Sequence, residues 1–251
     1  MEARAGTISA RVIPVNNRTL SIIIPAYNEQ DHVQDAIKSV TDIGKPYVNS
    51  YEVLVINDGS TDQTAQIVQR LANGHPEIRV IHNSQNRGLG YSLGAGFRAA
   101  TKDYVMWFPG DNSVKKESLK PLLEQFGQAD ITVTYMSNLN ERNFLRKHLS
   151  KTFTAFMNGL FGLNLKYFNG LFVYPVSLLK SMHFVSTGHA VFAELLIRSL
   201  KTGHSVDEVP FLHKVESESR SKALSIKNFA SVSRTIFILF WDIYIRRKPL
   251  G

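Results

Sequence analysis

Four short apolar runs, each followed by a polar tip or an amphipathic stretch, limit what this chain can fold into more than any other feature. Residues 20–24, 52–56, 78–81 and 104–108 are dominated by β-branched, aromatic and other apolar side chains, while 31–41, 62–71 and 90–100 space their apolar residues at helical intervals. The order is βαβαβαβ. Unbroken runs such as Ser21-Ile22-Ile23-Ile24 and Val53-Leu54-Val55-Ile56 suit strands covered on both faces, which requires a parallel sheet wound with right-handed crossovers. The expected fold class is therefore α/β and Rossmann-like. In such sheets ligands sit beyond the carboxyl ends of the strands, so the residues that follow each run carry the functional information.

Three of those tips are polar. They read Pro25-Ala26-Tyr27-Asn28-Glu29, then Asn57-Asp58-Gly59-Ser60-Thr61-Asp62-Gln63, then Pro109-Gly110-Asp111-Asn112-Ser113. Ser60 followed three residues later by Gln63 predicts a capping box at a helix start. That reading leaves Asp58 with no structural task, although a turn aspartate is the simpler explanation of it. Pro-Gly-Asp-Asn is likewise a good turn sequence on its own. The glycines at 88, 90, 94 and 96 lack G-x-G-x-x-G spacing and follow the third run, not the first, so they do not form a dinucleotide fingerprint. A tight turn after Asn86 and close helix packing account for them.

The second half is less regular. It predicts strands at 131–135 and 205–209, a strand-like 167–174, and helices over 143–161 and 191–202. We expect a tail at 1–18, one catalytic unit at 19–225, and an amphipathic C-terminal helix at 226–251. Residues 1–18 mix Glu2, Arg4, Arg11 and Arg18 with small residues and show no continuous apolar core of a signal peptide. Zero cysteines exclude disulfides and thiolate chemistry and fit a cytoplasmic, reducing setting. A net charge of +8 favours polyanionic partners: nucleic acid, an anionic membrane surface or a phosphorylated substrate. No nucleic-acid-binding motif supports the first of these.

The segments Ser21-Ile-Ile-Ile-Pro-Ala-Tyr-Asn-Glu29, Val55-Ile-Asn-Asp-Gly-Ser-Thr-Asp62 and Asn86-Arg-Gly-Leu-Gly90, in this order and spacing, resemble family 2 glycosyltransferases of the GT-A fold. The resemblance implies an inverting, metal-dependent hexosyltransferase that uses a nucleotide-sugar donor. It implies that Pro25, Ala26, Tyr27, Glu29, Asp58 and Gly88 line the donor site, with Asp111 as metal ligand and catalytic residue. Where the family usually carries two aspartates separated by one residue, this chain has Pro109 and Asp111. One carboxylate can still hold Mg2+ or Mn2+, because these ions keep waters and take further ligands from the diphosphate.

The second half is similar to the dolichyl or polyprenyl phosphate mannosyltransferase branch. Arg142, Arg146 and Ser150 fall four apart ahead of Asn158, Tyr167–Tyr174 holds Asn169, Gly188–Leu196 precedes Val206–Pro210, and Arg220-Ser221-Lys222 matches a basic element whose usual upstream arginine and glycine are Glu216 and Ser219 here. The resemblance places Arg142, Arg146, Asn169, Arg220 and Lys222 at phosphate or acceptor positions, although a solvated basic helix face also explains Arg142, Arg146 and Lys147. A polyprenyl phosphate acceptor is already anionic and needs no general base, whereas a sugar hydroxyl needs one. Glu194 is the carboxylate available for that task, or else the partner of Arg198 in an intrahelical ion pair. His189 is a second polar candidate beside it, with a structural part at a helix start as the other reading.

The stretch 229–247 carries Ile236-Phe-Ile-Leu-Phe-Trp-Asp-Ile-Tyr-Ile245 between basic residues. It is shorter than the roughly 20 apolar residues of a spanning helix and contains Asp242. Its aromatics and flanking cations suit a helix lying on the cytoplasmic face of a membrane, with packing on the catalytic domain or at a homo-oligomer interface as the other reading. Two rival functions remain at this stage: transfer to a sugar hydroxyl in capsule, cell-wall or glycolipid synthesis, and a non-catalytic nucleotide-binding module, which Pro109 suggests.

Overall fold

The apolar runs become strands because their side chains are covered from both sides: Ile22, Ile23, Ile24, Val53, Leu54, Val55 and Ile56 are all buried. The computed structural model describes residues 18–44, 46–214 and 226–246. In chain order the elements are β1 (Thr19–Ala26), α1 (Val33–Gly44), β2 (Ser50–Asn57), α2 (Thr64–Gly74), β3 (Ile78–His82), α3 (Leu89–Ala99), β4 (Tyr104–Trp107) and α4 (Leu119–Gln125). There follow β5 (Ile131–Met136), α5 (Phe144–Phe161), β6 (Phe172–Pro175), α6 (Val176–Ser181), α7 (Ala190–Lys201), β7 (Val206–Phe211) and α8 (Ile226–Phe240), which runs into a π-helical turn, Trp241–Arg246.

The strands form a single mostly parallel sheet in the order β3-β2-β1-β4-β6-β5-β7, flanked by helices. Only β6 runs against its neighbours, β4 and β5. The residues leading into β6 therefore meet the carboxyl ends of β1 to β5 and β7 along one edge. Helix α3 lies close against the sheet because Gly96 has no side chain: an added Cβ would come within 2.6 Å of Ile23 Cγ2. The close-packing reading of that glycine holds.

Several local expectations change. Arg18, expected in the tail, is buried, donates to the Phe126 carbonyl oxygen and lies over the Phe126 ring. The strand expected from residue 167 begins only at Phe172, because 166–171 is held otherwise: Trp107 Nε1 donates to the Gly170 oxygen at 3.0 Å and Leu171 N donates to Thr134 Oγ1 at 2.8 Å. Arg142 precedes α5 in extended backbone and does not share a helix face with Arg146, since Asn143 caps the helix by accepting from Leu145 N.

The C-terminal helix packs on the catalytic domain, the other reading made of it. Its inner side buries Thr235 and Leu239 and places Asp242 against Arg198 of α7 at 3.6 Å. Its outer side leaves Phe237 and Ile245 more than half exposed and Trp241 about two-fifths exposed, while the Tyr244 ring stacks on Phe161 of α5. Among the described residues no helix is long and apolar enough to cross a membrane.

Candidate functional site

The loops after β1 and β2 are laced together. Register sets Ala26 beside Asn57, and Asp58 N donates to the Ala26 oxygen at 2.9 Å. Asn28, at φ 56°, turns its Oδ1 to accept from Thr61 N, while its own amide donates to Ser60 Oγ. Glu29 N donates to Thr64 Oγ1 at 2.8 Å and Gln30 N to Asp62 Oδ2 at 3.2 Å. These bonds displace the expected capping box. Ser60 is engaged across the loops, α2 starts only at Thr64, and Asp62 instead accepts from Thr64 N, where a negative charge also suits the helix start.

Asp58 has the structural task that sequence reasoning did not find for it. Its Oδ1 accepts from Asn83 Nδ2 at 2.7 Å and from Arg87 N at 3.1 Å, and its Oδ2 accepts from Gly88 N at 2.8 Å. It is 4 % exposed. A carboxylate with three donors already placed works first as the anchor of the β3–α3 loop. Gly88 correspondingly gives its amide to Asp58. At φ 89°, and with the Thr187 oxygen 2.6 Å from where a Cβ would stand, it tolerates no side chain. Gly90 N donates to that same Thr187 oxygen at 2.7 Å, so segment 186–189 is tied to the glycine loop.

The third tip lies on the same edge. β1 pairs with β4 in parallel, Phe108 N donates to the Ile23 oxygen, and Gly110 packs so close to Pro25 and Ala26 that its lack of a Cβ is required. Tyr27 is 39 % exposed and Asp111 is exposed; Ala26 is buried and can offer only backbone. One Asp111 oxygen accepts from Ser113 N at 3.0 Å, and the other has no hydrogen-bond partner among the described residues. His189 keeps contact with solvent, yet the protein mass around it pushes its imidazole below the ordinary range while the Asp111 charge pulls the other way. The two side chains are thus electrostatic neighbours, and a neutral imidazole beside a carboxylate is a donor set that a divalent cation accepts. The described residues contain no cluster of three or more such ligands.

The expected acceptor side is only partly assembled here. Asn169 is exposed at the entry to β6, beside Gly170 and the end of β4. Arg142 follows β5 on the same edge and Arg146 stands in the first turn of α5, both partly exposed. Arg220 and Lys222 lie outside the described residues. Lys214, which sequence reasoning missed, donates its amide to the Ser113 oxygen at 2.8 Å, so the end of β7 braces the Asp111 loop. Only strand pairing between Val114 and His213 reveals this.

Glu194 is corrected as a catalytic residue. It is fully buried; its carboxylate accepts from Val185 N, Ser186 N, Ser186 Oγ at 2.6 Å and Arg198 Nε at 3.0 Å. The ion-pair reading holds, because α7 buries this turn and the carboxylate has no access to a reacting group.

Comparison with known proteins places this geometry. Residues 21–188 match the family model "Glycosyl transferase family 2". A dolichyl-phosphate beta-glucosyltransferase of Dictyostelium discoideum is 29% identical over 165 residues, covering 59% of this chain and 50% of that protein. A dolichol-phosphate mannosyltransferase of Pyrococcus furiosus is 25% identical over 238 residues, covering 91% of this chain and 66% of that one. The chain thus spans between half and just under two thirds of these relatives. Among solved structures, glucosyl-3-phosphoglycerate synthase from Mycobacterium tuberculosis in complex with uridine diphosphate superposes with a TM-score of 0.66 at 20% identity, covering 90% of this chain and 79% of that one. The same enzyme with Mn2+, UDP-glucose and phosphoglyceric acid gives 0.66 at 21%, with the same coverage. At these identities the structural likeness establishes the α/β GT-A fold.

Proposed function

Because this chain belongs to glycosyl transferase family 2, we propose that it transfers a hexose from a UDP- or GDP-sugar to a polyprenyl phosphate, with inversion at the anomeric carbon. The observation that carries this reading is the saturation of Glu194. The carboxylate offered as general base is closed off, and an acceptor whose oxygen is already anionic needs none. The two dolichyl-phosphate-dependent relatives named above support the same acceptor class.

The donor lies across the tips of β1, β2 and β4. Tyr27 offers an aromatic face to the base, Pro25 and Glu29 border the nucleoside, and Asp58 fixes the loop that closes over it. Mg2+ or Mn2+, held by Asp111 and His189 and completed by diphosphate oxygens, would neutralise the charge that develops on the departing nucleoside diphosphate. Arg142 and Arg146, with Arg220 and Lys222 by resemblance, steady phosphate oxygens. One acceptor oxygen forms the bond to the anomeric carbon as the bond to the diphosphate breaks on the opposite side, which gives inversion.

A membrane-surface location on the cytoplasmic side follows from the acceptor. α5 exposes Phe144, Leu145, Leu149 and Phe156 beside Arg146, Lys147 and Lys151 and carries no acidic residue, a combination that favours an anionic bilayer surface. The test is transfer by the purified protein from radiolabelled UDP-glucose and GDP-mannose to polyprenyl phosphate. An organic-extractable, acid-labile labelled product is expected. Label confined to a sugar hydroxyl acceptor, or no transfer from any nucleotide sugar, contradicts the reading.

A further inference from the structure

One cavity lies outside the donor site and has the chemistry of a receptor for an anion with an apolar tail. It encloses about 110 Å3 between segment 185–187 and α8 and is lined by Val185, Ser186, Thr187, Arg234, Thr235 and Ile238. That is room for several water-sized groups. Its polar lining consists of three hydroxyls and one guanidinium, with no carboxylate. The negative charge beneath it, on Glu194, is already matched by Arg198. Arg234 makes no hydrogen bond or ion pair with any described residue, and neither does the Thr187 hydroxyl.

The walls are held in place. Ser186 and Thr235, both nearly fully buried, stand with their hydroxyl oxygens 3.1 Å apart, and Ser186 gives its proton to Glu194. The Thr187 carbonyl accepts from Gly90. Two residues further on is His189, the neighbour of Asp111. Two residues span at most about 7 Å, so the cavity is within a short reach of the site where the sugar is released.

From the mouth of the cavity an apolar stripe continues along α8. Arg234, Phe237, Ile238 and Trp241 follow at spacings of three, four and seven residues, which sets them on one side of the helix. All are at least partly exposed, and Phe237 stacks on Trp241 with ring centroids 5.9 Å apart. A cation and hydroxyls at the head of an exposed aromatic track match a phosphate monoester followed by a hydrocarbon chain. A nucleotide has no use for such a track.

We propose that this cavity receives the phosphate of the polyprenyl phosphate acceptor, with Arg234 and Thr187 donating to its oxygens and the first isoprene units lying on Phe237 and Trp241. The proposal rests on the acceptor class given above. A phosphate oxygen held there attacks the anomeric carbon, the bond from that carbon to the donor diphosphate breaks, the nucleoside diphosphate leaves, and no proton is transferred.

The test uses the intact protein with farnesyl monophosphate, farnesol, inorganic phosphate and phosphatidylglycerol vesicles, followed by the emission of Trp241, with Trp241→Phe identifying the signal. Farnesyl monophosphate is expected to shift the emission. Arg234→Gln should weaken its binding by about tenfold or more, as loss of a charge-assisted hydrogen bond does, while leaving the melting midpoint and its increase with UDP unchanged. Phe237→Ser should weaken farnesyl monophosphate binding but not that of inorganic phosphate. Wild-type affinity in Arg234→Gln overturns the proposal, as does an emission change that vesicles alone reproduce. Binding as expected without sugar transfer would leave the cavity's assignment standing and remove the transferase reading instead.

Discussion

Arg198 Nε donates to Glu194 Oε1 at 3.0 Å one turn along α7, in a pair whose side chains are 6% and 0% exposed. The same carboxylate holds Val185 and Ser186, so the pair fixes the segment that leads to His189. Arg198 also reaches Asp242, which brings the C-terminal helix into the network. Removing one partner from a buried pair leaves the other uncompensated, typically at a cost of about 3–5 kcal/mol. Arg198→Met should therefore lower unfolding free energy by roughly that amount, measured by urea denaturation. Glu194→Gln should lose stability as well, and its residual transfer rate should show the same pH dependence as wild type. Altered pH dependence with full stability would restore Glu194 as a base.

Acid should weaken the sheet through Glu52. Burial pushes this carboxyl up, but bonds from Ser21 and Thr101 and from the Arg79 guanidinium outweigh it, so it titrates below the ordinary carboxylate range. Its contribution is fully present above the unfolded-state pKa and is lost as pH falls through the depressed folded value. Denaturation midpoints between neutral and strongly acid pH should decline less steeply for Glu52→Gln than for wild type. Identical slopes would remove Glu52 from the account.

Two glycines should respond in opposite senses to alanine. A Cβ on Gly90 would fall inside the Ser186 carbonyl group, so α3 and segment 186–187 must part. Gly90→Ala is expected to cost about 1–3 kcal/mol, the usual range for overpacking, and to weaken nucleotide binding. Gly74, at the end of α2, has nothing within 4 Å of such an atom. Gly74→Ala should be neutral or stabilising by up to about 1 kcal/mol. Melting curves of both variants, with and without UDP, check this.

The sheet was readable from sequence because β1, β2 and β4 are buried apolar runs, each followed within a few residues by a polar tip: Ile22–Ile24 by Tyr27, Val53–Ile56 by Asp58, and Tyr104–Trp107 by Asp111. What escaped was set by residues far apart in the chain. The capping expectation for Ser60 and Gln63 failed because Asn28, thirty-two residues earlier, claims the Ser60 hydroxyl. Asp58 looked idle because its donors, Asn83, Arg87 and Gly88, sit on the next loop. Glu194 looked equally suited to catalysis and to pairing, since spacing along a helix does not report burial. Lys214 reached the Asp111 loop through a pairing that no local pattern encodes.

The central claim is that the tips of β1, β2 and β4 form one seat for a nucleoside diphosphate and a divalent cation, with Asp111 holding the cation. Thermal melting of wild type and Asp111→Ala with UDP or GDP, in the presence and absence of Mn2+, tests it most directly, since a ligand that binds only the folded state raises the midpoint. The account predicts that one nucleotide raises the wild-type midpoint, that Mn2+ enlarges the rise, and that Asp111→Ala keeps its fold but loses the Mn2+ increment. No rise with either nucleotide, or an increment that survives the substitution, would contradict it.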